Sequence, residues 1–182
     1  MKTPSAFSAV HDLELALSAL DEMLKSALDV YLIGGAAVIA HGVQGRGTMD
    51  IDAIFPESFP EEVEEQIGRV GLKLRLPDHW FNTMPSRDLR FLRSGWRDRS
   101  ITVFHGKRLF VRALGRADLL GLKLAAALDR REPDRSDILA LKPTDEEMEI
   151  ARLWAREYDA NPDWPDAIDH LAKEILDELK HA

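Results

Sequence analysis

Two motifs between residues 31 and 55 carry side chains whose types and spacing could do chemistry. Asp50 and Asp52 alternate with apolar residues, so both carboxylates project from one face of a predicted strand. Like charges placed this close repel each other unless a cation lies between them. Proteins usually hold Mg²⁺, a hard cation, with one or two carboxylates, while phosphate and water oxygens complete its octahedron. The aspartate pair therefore predicts a divalent metal site.

A glycine pair upstream predicts a phosphate site beside this metal site. Gly34 and Gly35 end an apolar run at residues 30–33, and the small residues 36–40 are predicted to begin a helix. Glycine backbone lets a phosphate approach closely, and N–H groups at a helix start attract anions. The two sites would lie at the ends of adjacent elements, as a phosphate-bearing ligand requires. The alternative is a tight turn and a solvent-facing aspartate pair on an edge strand.

These motifs, with Arg46-x-Thr48 between them, resemble the signature of the nucleotidyltransferase superfamily, which has the DNA-polymerase-β-like fold. The resemblance is greatest to the branch that contains the nucleotidyltransferase toxins of abortive-infection toxin–antitoxin pairs and their uncharacterised relatives. It extends to the helix that carries Lys123 and to the acidic helix that carries Asp137. Residues 30–142 are covered by the resemblance.

The resemblance implies an enzyme, dependent on Mg²⁺ or Mn²⁺, that moves a nucleoside monophosphate from an NTP to an RNA, protein or small-molecule acceptor. It also implies a cognate antitoxin-like protein as a partner, with this chain as the toxin component. Asp50 and Asp52 would bind the metal, and these two residues together with Lys123 would be catalytic. Asp137 would orient Lys123 from behind. The residues implied in nucleotide binding are Gly34, Gly35, Arg46, Thr48 and Lys123.

One departure from the superfamily pattern leaves a second function open. A third carboxylate on a later strand usually helps to hold a second metal, yet Thr102 and Val103 occupy the strand where it is expected. Asp88 and Asp98 lie in a stretch with no sustained period. The alternative is a catalytically reduced relative that binds a nucleotide or a partner protein. A P-loop or dinucleotide-binding enzyme is disfavoured, because the sequence lacks Gly-Lys-Ser/Thr and the third glycine of the dinucleotide fingerprint.

The elements that must position these residues predict an α+β fold, sandwich-like, with a small mixed sheet flanked by helices. Apolar spacing of three and four residues predicts the helices, while alternation and short apolar runs predict the strands. The predicted helices are 7–28, 36–40, 60–71, 116–130, 144–157 and 166–180. The predicted strands are 30–33, 49–55, 72–76 and the two arms of a hairpin, 101–104 and 108–111. We expect a nucleotidyltransferase-like domain at residues 1–142 and a helical C-terminal appendage, packed on it, at residues 143–182.

Composition places the chain among globular proteins of one-domain size, with 182 residues, 45% of them hydrophobic and 31% charged. There is no cysteine, which excludes disulfides and thiolate metal sites, and the six histidines lack the spacing of zinc ligands. Neither a signal peptide nor a membrane-spanning run is recognisable. We therefore expect a cytoplasmic protein without membrane contact.

Charge is distributed unevenly along the chain. Residues 85–135 hold 13 Lys or Arg against 6 Asp or Glu, whereas residues 144–182 hold 4 against 12. The basic middle could attract a nucleotide or RNA, or the two regions could pair with each other in the fold. Trp80, Phe81 and Trp96 present a similar choice between stacking on a base and anchoring a loop.

Overall fold

The computed structural model describes residues 6–83 and 92–181, in which five strands form one mixed sheet. The strands are β1 Leu28–Ile33, β2 Ile51–Phe55, β3 Phe81–Thr83, β4 Ile101–His105 and β5 Leu109–Ala113. Their order across the sheet is β3-β2-β1-β5-β4. Strand β1 runs antiparallel to β2 and parallel to β5, β3 runs parallel to β2, and β4 pairs antiparallel with β5.

Helices flank this sheet and make up the C-terminal part of the chain. In the described ranges they are α1 Val10–Met23, α2 Gly34–Ala40, α3 Glu61–Leu74, α4 Trp96–Arg99, α5 Arg116–Arg130, α6 Asp134–Leu141, α7 Asp145–Ala155 and α8 Trp164–His181. None of these helices combines the length and the apolar surface that crossing a membrane requires. A mixed sheet with flanking helices and a helical C-terminal region confirms the predicted α+β class.

Contacts divide the described residues into two units. The first contains residues 6–83 and 97–114, which hold the whole sheet together with α1, α2 and α3. The second contains residues 92–96 and 115–181, which hold α5 to α8. The domain boundary expected after residue 142 stays a prediction.

Helix α1 packs against β4, β5 and α3 in the first unit. Its Leu13, Leu17 and Leu20 recur at helical spacing and are fully buried, as are Val30 and Leu32 on β1. Burying a leucine side chain contributes roughly 1.5–3 kcal/mol. The apolar stripe that predicted α1 is therefore the surface that holds this helix on the sheet.

A carboxylate at the end of α1 fixes the β4–β5 hairpin. Asp21 accepts hydrogen bonds from the backbone N–H groups of Lys107, Arg108 and Leu109 at 2.9, 2.7 and 2.7 Å. Burial by itself raises the pKa of Asp21. The three N–H donors together have the larger effect, so the pKa lies below its ordinary value. A Cβ on Gly106 would lie 2.4 Å from the Asp21 carboxyl carbon, so the turn closes only with glycine there.

The predicted hairpin is thus present, with one difference in its turn. His105, expected in the turn, is the last residue of β4 and lies opposite Phe110. The two ring centroids are 5.0 Å apart in an edge-to-face arrangement. Strand β4 therefore runs one residue further toward the turn than predicted, while β5 begins one residue later than predicted.

The predicted strand at residues 72–76 is wrong. Helix α3 runs through most of this range, and Arg75 ends it in a left-handed conformation with φ of 57°. Trp80 docks on the same helix, because its indole N–H donates to the carbonyl oxygen of Ile67 at 2.9 Å. The alternation of leucine with basic residues is local and fits an exposed helix end equally well, since Leu72 is 83% exposed. The third strand is instead β3, which pairs with β2.

In the second unit, α5 packs closely against α7. Gly121 leaves no room for a side chain there, because a Cβ would lie 2.0 Å from a carbon of the Trp154 ring. Three of the leucines that predicted α5 are buried: Leu120 is 1% exposed, and Leu119 and Leu124 are completely inaccessible. Close approach of the two helices therefore depends on a glycine in the middle of α5.

Ion pairs inside the second unit join basic residues of the middle region to the acidic tail. Arg116 lies 2.6 Å from Glu147. Arg131 and Arg135 lie 3.7 and 3.2 Å from Glu174 of α8. These pairs correspond to the alternative in which basic middle and acidic tail neutralise each other.

Candidate functional site

The diglycine turn and the second aspartate lie against each other. Strand β1 ends at Ile33, which lies directly opposite Asp52 of β2. Gly34 then begins α2 with φ of +64°, a backbone conformation that favours glycine. A Cβ on Gly34 would lie 2.8 Å from Asp52 Oδ2, closer than such atoms approach. The Asp52 carboxylate therefore packs directly against the backbone of Gly34, with no side chain between them.

The second glycine meets the Arg46-x-Thr48 motif in the same way. A Cβ on Gly35 would lie 2.9 Å from Thr48 Oγ1 and 2.9 Å from Arg46 Nη2. Thr48 Oγ1 in turn donates to Asp50 Oδ1 at 3.0 Å. The structure thus brings together all six residues that the sequence motifs singled out around the glycine pair. Asp50 itself precedes β2, because the strand begins two residues later than predicted.

A residue that the sequence did not single out holds this loop in place. Phe7 exchanges two backbone hydrogen bonds with Thr48, at 3.0 and 2.9 Å, and forms an isolated antiparallel bridge. Its side chain is 1% exposed, and its ring centroid lies 6.2 Å from that of Trp80. Phe7 therefore positions Thr48, which contacts both Gly35 and Asp50. One apolar residue ahead of a predicted helix offers no local signal of that pairing.

The donor atoms at this point suit a hard divalent ion. Asp50 and Asp52 supply carboxylate oxygens and Thr48 a hydroxyl group, all of them hard ligands. In the described ranges no group of three or more His, Cys, Asp or Glu side chains could hold a metal by itself. An ion here would complete its coordination with phosphate and water oxygens, which is the usual arrangement for Mg²⁺ and does not suit structural Zn²⁺.

The third carboxylate of the superfamily pattern has no counterpart on β4, the strand where it was expected, or on its partner β5. Strands β4 and β5 contain no Asp or Glu. Thr102 lies on β4 opposite Arg112 of β5. Asp98 is an exposed residue of the short helix α4, and Asp88 lies outside the described residues.

Lys123 occupies a buried ionic cluster in the second unit. It lies on α5 with only 6% exposure, so its ammonium group does not extend into water. Its Nζ donates to Asp134 Oδ1 and to Asp137 Oδ2, both at 2.7 Å. Arg130 Nη2 lies 2.9 Å from the other Asp134 oxygen, an ion-pair distance without hydrogen-bond geometry. Asp137 thus contacts Lys123, while the roles assigned to both residues stay predictions.

The aromatic residues that could have stacked on a base are packed inside. Trp80 is inaccessible, Phe81 is 3% exposed and Trp96 is 7% exposed. The Trp80 and Phe81 ring centroids are 5.4 Å apart. Burial of this extent corresponds to the anchoring alternative, because a stacking platform needs an accessible ring face.

A known protein family matches the sequence that forms this site. A family model described as "Nucleotidyltransferase of unknown function (DUF6036)" matches residues 11–162, more than four-fifths of the chain. No curated protein and no solved structure matches the chain. The matched range includes the glycine pair, both aspartates of the Asp50-x-Asp52 motif and Lys123. The chain therefore belongs to this family of nucleotidyltransferases of unknown function.

Proposed function

We propose that the protein transfers a nucleoside monophosphate from an NTP to an acceptor hydroxyl group, in a reaction that requires Mg²⁺ or Mn²⁺. The observation that carries the proposal is the contact between Asp52 and the glycine pair, since a Cβ on Gly34 would lie 2.8 Å from the carboxylate. A metal-binding oxygen and a side-chain-free turn at one point can hold a metal and a triphosphate together. Membership of a nucleotidyltransferase family supports this assignment.

In this proposal the residues around the glycine pair bind and orient the triphosphate. Asp50 and Asp52 hold the ion, and Thr48 keeps Asp50 in position through their 3.0 Å hydrogen bond. The bound divalent ion supplies charge neutralisation on the triphosphate oxygens. Gly34 and Gly35 let the phosphates approach the backbone. The acceptor oxygen bonds to the α-phosphorus, the α–β anhydride breaks, pyrophosphate leaves, and the hydroxyl proton passes to water.

Lys123 is the proposed contact to the triphosphate from α5, with Asp137 orienting it. An ammonium group has three N–H donors, of which two serve Asp134 and Asp137 at 2.7 Å. Two carboxylates at hydrogen-bond distance hold a buried lysine in position. Its third donor would then serve a phosphate oxygen.

The acceptor class and the biological setting also belong to the proposal. RNA, a protein or a small molecule could offer the hydroxyl group, and the likeness to abortive-infection toxins suggests a toxin with an antitoxin-like partner. A catalytically reduced relative that binds a nucleotide or a partner is the second candidate. The observation that favours it is that β4 and β5 contain no acidic residue to serve as the third carboxylate.

The test combines transfer of label with metal binding. Purified protein is incubated with Mg²⁺, each α-labelled NTP and total cellular RNA or protein, and Mn²⁺ binding is followed by electron paramagnetic resonance. We expect label transfer by the wild type, its loss in Asp50→Asn and Asp52→Asn, and weaker Mn²⁺ binding by both variants. Asp78→Asn, which changes an exposed aspartate of the same unit, is the matched control. Nucleotide binding that does not depend on Mg²⁺, in the absence of label transfer, would show that the protein is a nucleotide-binding module instead.

A further inference from the structure

A basic and aromatic cluster lies on the sheet face that also carries Asp52. It consists of Tyr31 on β1, Phe55 on β2, Arg97 from α4 and Arg112 on β5, and we call it the arginine cluster. The Tyr31 and Phe55 ring centroids are 6.0 Å apart, edge to face. The Arg97 guanidinium carbon lies 5.0 Å from the Phe55 centroid and 5.8 Å from that of Tyr31. The Arg112 guanidinium carbon lies 5.5 Å from the Tyr31 centroid.

The register of the sheet puts this cluster beside Asp52. Tyr31 lies opposite Phe55, and Ile33, two residues further along β1, lies opposite Asp52. Residues two apart on a strand share a face and are about 7 Å apart, and directly opposed residues share a face as well. A register shift after Tyr31 leaves Ile54 as an extra residue, so that Asp52 and Phe55 stay on one side. The arginine cluster is therefore about one strand repeat away from the proposed metal site, within the same unit.

The two guanidinium groups are held in place before any ligand arrives. Each lies within cation–π distance of an aromatic ring, and Arg112 also donates to Tyr31 Oη at 3.3 Å and to Asp29 Oδ1 at 3.2 Å. A planar guanidinium that is already ordered loses little freedom when it binds a phosphate, and its fork matches phosphate oxygens. Arginine clusters of this kind are typical of phosphate recognition.

The stretch that carries both arginines of the cluster has the sign of charge that a polyanion requires. Residues 97–114, which carry both arginines of the cluster, hold five Lys or Arg and one Asp. This stretch belongs to the sheet-containing unit. Arg97 is exposed, and the Arg112 side chain is 36% exposed, so both can be reached by a ligand. In the proposed function the glycine pair and the aspartates serve the triphosphate of one nucleotide, so these arginines would serve a further phosphate.

We propose that the arginine cluster binds the phosphodiester backbone of a single-stranded RNA acceptor and presents its hydroxyl group to the Asp50 and Asp52 site. This inference rests on the proposed function for the identity of the site, but the binding it describes needs neither NTP nor metal. Arg97 and Arg112 are acceptor-binding residues in this account. Tyr31 and Phe55 are positioning residues, since they hold the two guanidinium groups through their rings.

The test measures RNA binding directly. Fluorescence anisotropy of a labelled single-stranded RNA of about 12 nucleotides is titrated with the full chain, without NTP, between about 50 and 200 mM salt. We expect Arg97→Gln and Arg112→Gln each to weaken binding about tenfold and to reduce the slope of log K against log salt by about 0.7, which is the loss of one single-strand phosphate contact. Arg97→Lys, which keeps the charge without the planar fork, should fall between Arg97→Gln and the wild type.

A matched control separates local binding from net charge. Arg69→Gln removes an arginine of the same unit whose side chain is 57% exposed and pairs with Glu65 on α3. It changes net charge as much as the cluster variants do, and we expect less than a twofold effect on RNA binding. Equal losses in Arg69→Gln, Arg97→Gln and Arg112→Gln would overturn the inference, because a general field would then explain them.

Other outcomes point to other occupants and also overturn the inference. A wild-type protein that binds no RNA, or cluster variants that lose only Mg-NTP affinity, would assign these arginines to the donor nucleotide. Cluster variants with a lower melting temperature and unchanged RNA affinity would show that the arginines only shield the aromatic rings from solvent.

The proposed function can fail independently of this inference. Asp50→Asn and Asp52→Asn should keep RNA affinity and lose transfer. RNA binding through the two arginines without any transfer would support the inference and refute the enzyme.

Discussion

Replacing Gly34 with alanine tests whether the glycine pair and Asp52 act as one site. The change places a Cβ 2.8 Å from Asp52 Oδ2, whereas ordinary contact begins at 3.4 Å, so the carboxylate must move by about 0.6 Å. Displacing a catalytic group by about 1 Å can cost about 100-fold in rate. We therefore expect a loss of roughly 10- to 100-fold in label transfer, together with weaker Mn²⁺ binding.

The same substitution also strains the backbone, and this second effect needs its own control. Alanine at φ of +64° costs about 1–2 kcal/mol, which should lower the melting temperature by about 2–8 °C in a chain of this size. Gly42 has φ of +84° and no atom within 4 Å of the position that a Cβ would take, so Gly42→Ala carries the strain without the crowding. Both variants should remain folded, because total stability is about 5–15 kcal/mol.

Comparison of the two variants decides the matter. Melting temperature is measured by circular dichroism, Mn²⁺ binding by electron paramagnetic resonance and transfer with α-labelled NTP. We expect similar losses of stability in Gly34→Ala and Gly42→Ala, but loss of metal binding and transfer only in Gly34→Ala. If both variants bind Mn²⁺ and transfer label equally well, the contact between Asp52 and the turn has no part in function.

Two further predictions concern stability. Gly121→Ala should destabilise the protein by about 1–3 kcal/mol, because its Cβ would lie 2.0 Å from the Trp154 ring. Gly68→Ala, with open space around a helical glycine, should stabilise it by about 0.5–1 kcal/mol, and thermal unfolding should give shifts of opposite sign. Asp21→Asn should cost about 2 kcal/mol at neutral pH, because three N–H groups lose an ionised acceptor. The pKa of Asp21 is lowered below 3.8 in the folded protein, so its contribution is complete above pH 3.8 and disappears as pH falls through the folded pKa. Urea titrations of wild type and variant should therefore converge in acid; a gap independent of pH would contradict this.

The spacing of apolar residues was sufficient to predict the elements whose periodic pattern is long or uninterrupted. The leucines of α1 and of α5 lie at helical spacing, and burial of those stripes follows from the spacing alone. The β4–β5 hairpin has its turn at Gly106, where two apolar runs meet. In these cases the predicted and the observed contacts agree, because each element has a single apolar face and burial of that face fixes its orientation.

Short alternating stretches were not sufficient. Residues 72–76 alternate like a strand, but residues 72–74 extend α3, on which Trp80 packs and donates to Ile67. The pairing of Phe7 with Thr48 joins residues far apart in the chain and leaves no trace in either neighbourhood. A few residues carry too little periodicity to outweigh a tertiary contact of this kind.

The chemical character of the candidate site was determined by sequence alone: two aspartates at strand spacing, a glycine pair, and Arg46 and Thr48 between them. Only the tertiary structure decided that these groups meet, since the antiparallel register of β1 and β2 sets Ile33 opposite Asp52. It alone also brought Arg97 and Arg112 onto the rings of the same sheet face. Side-chain type and spacing are local properties of a chain, whereas register across strands depends on pairing between distant segments.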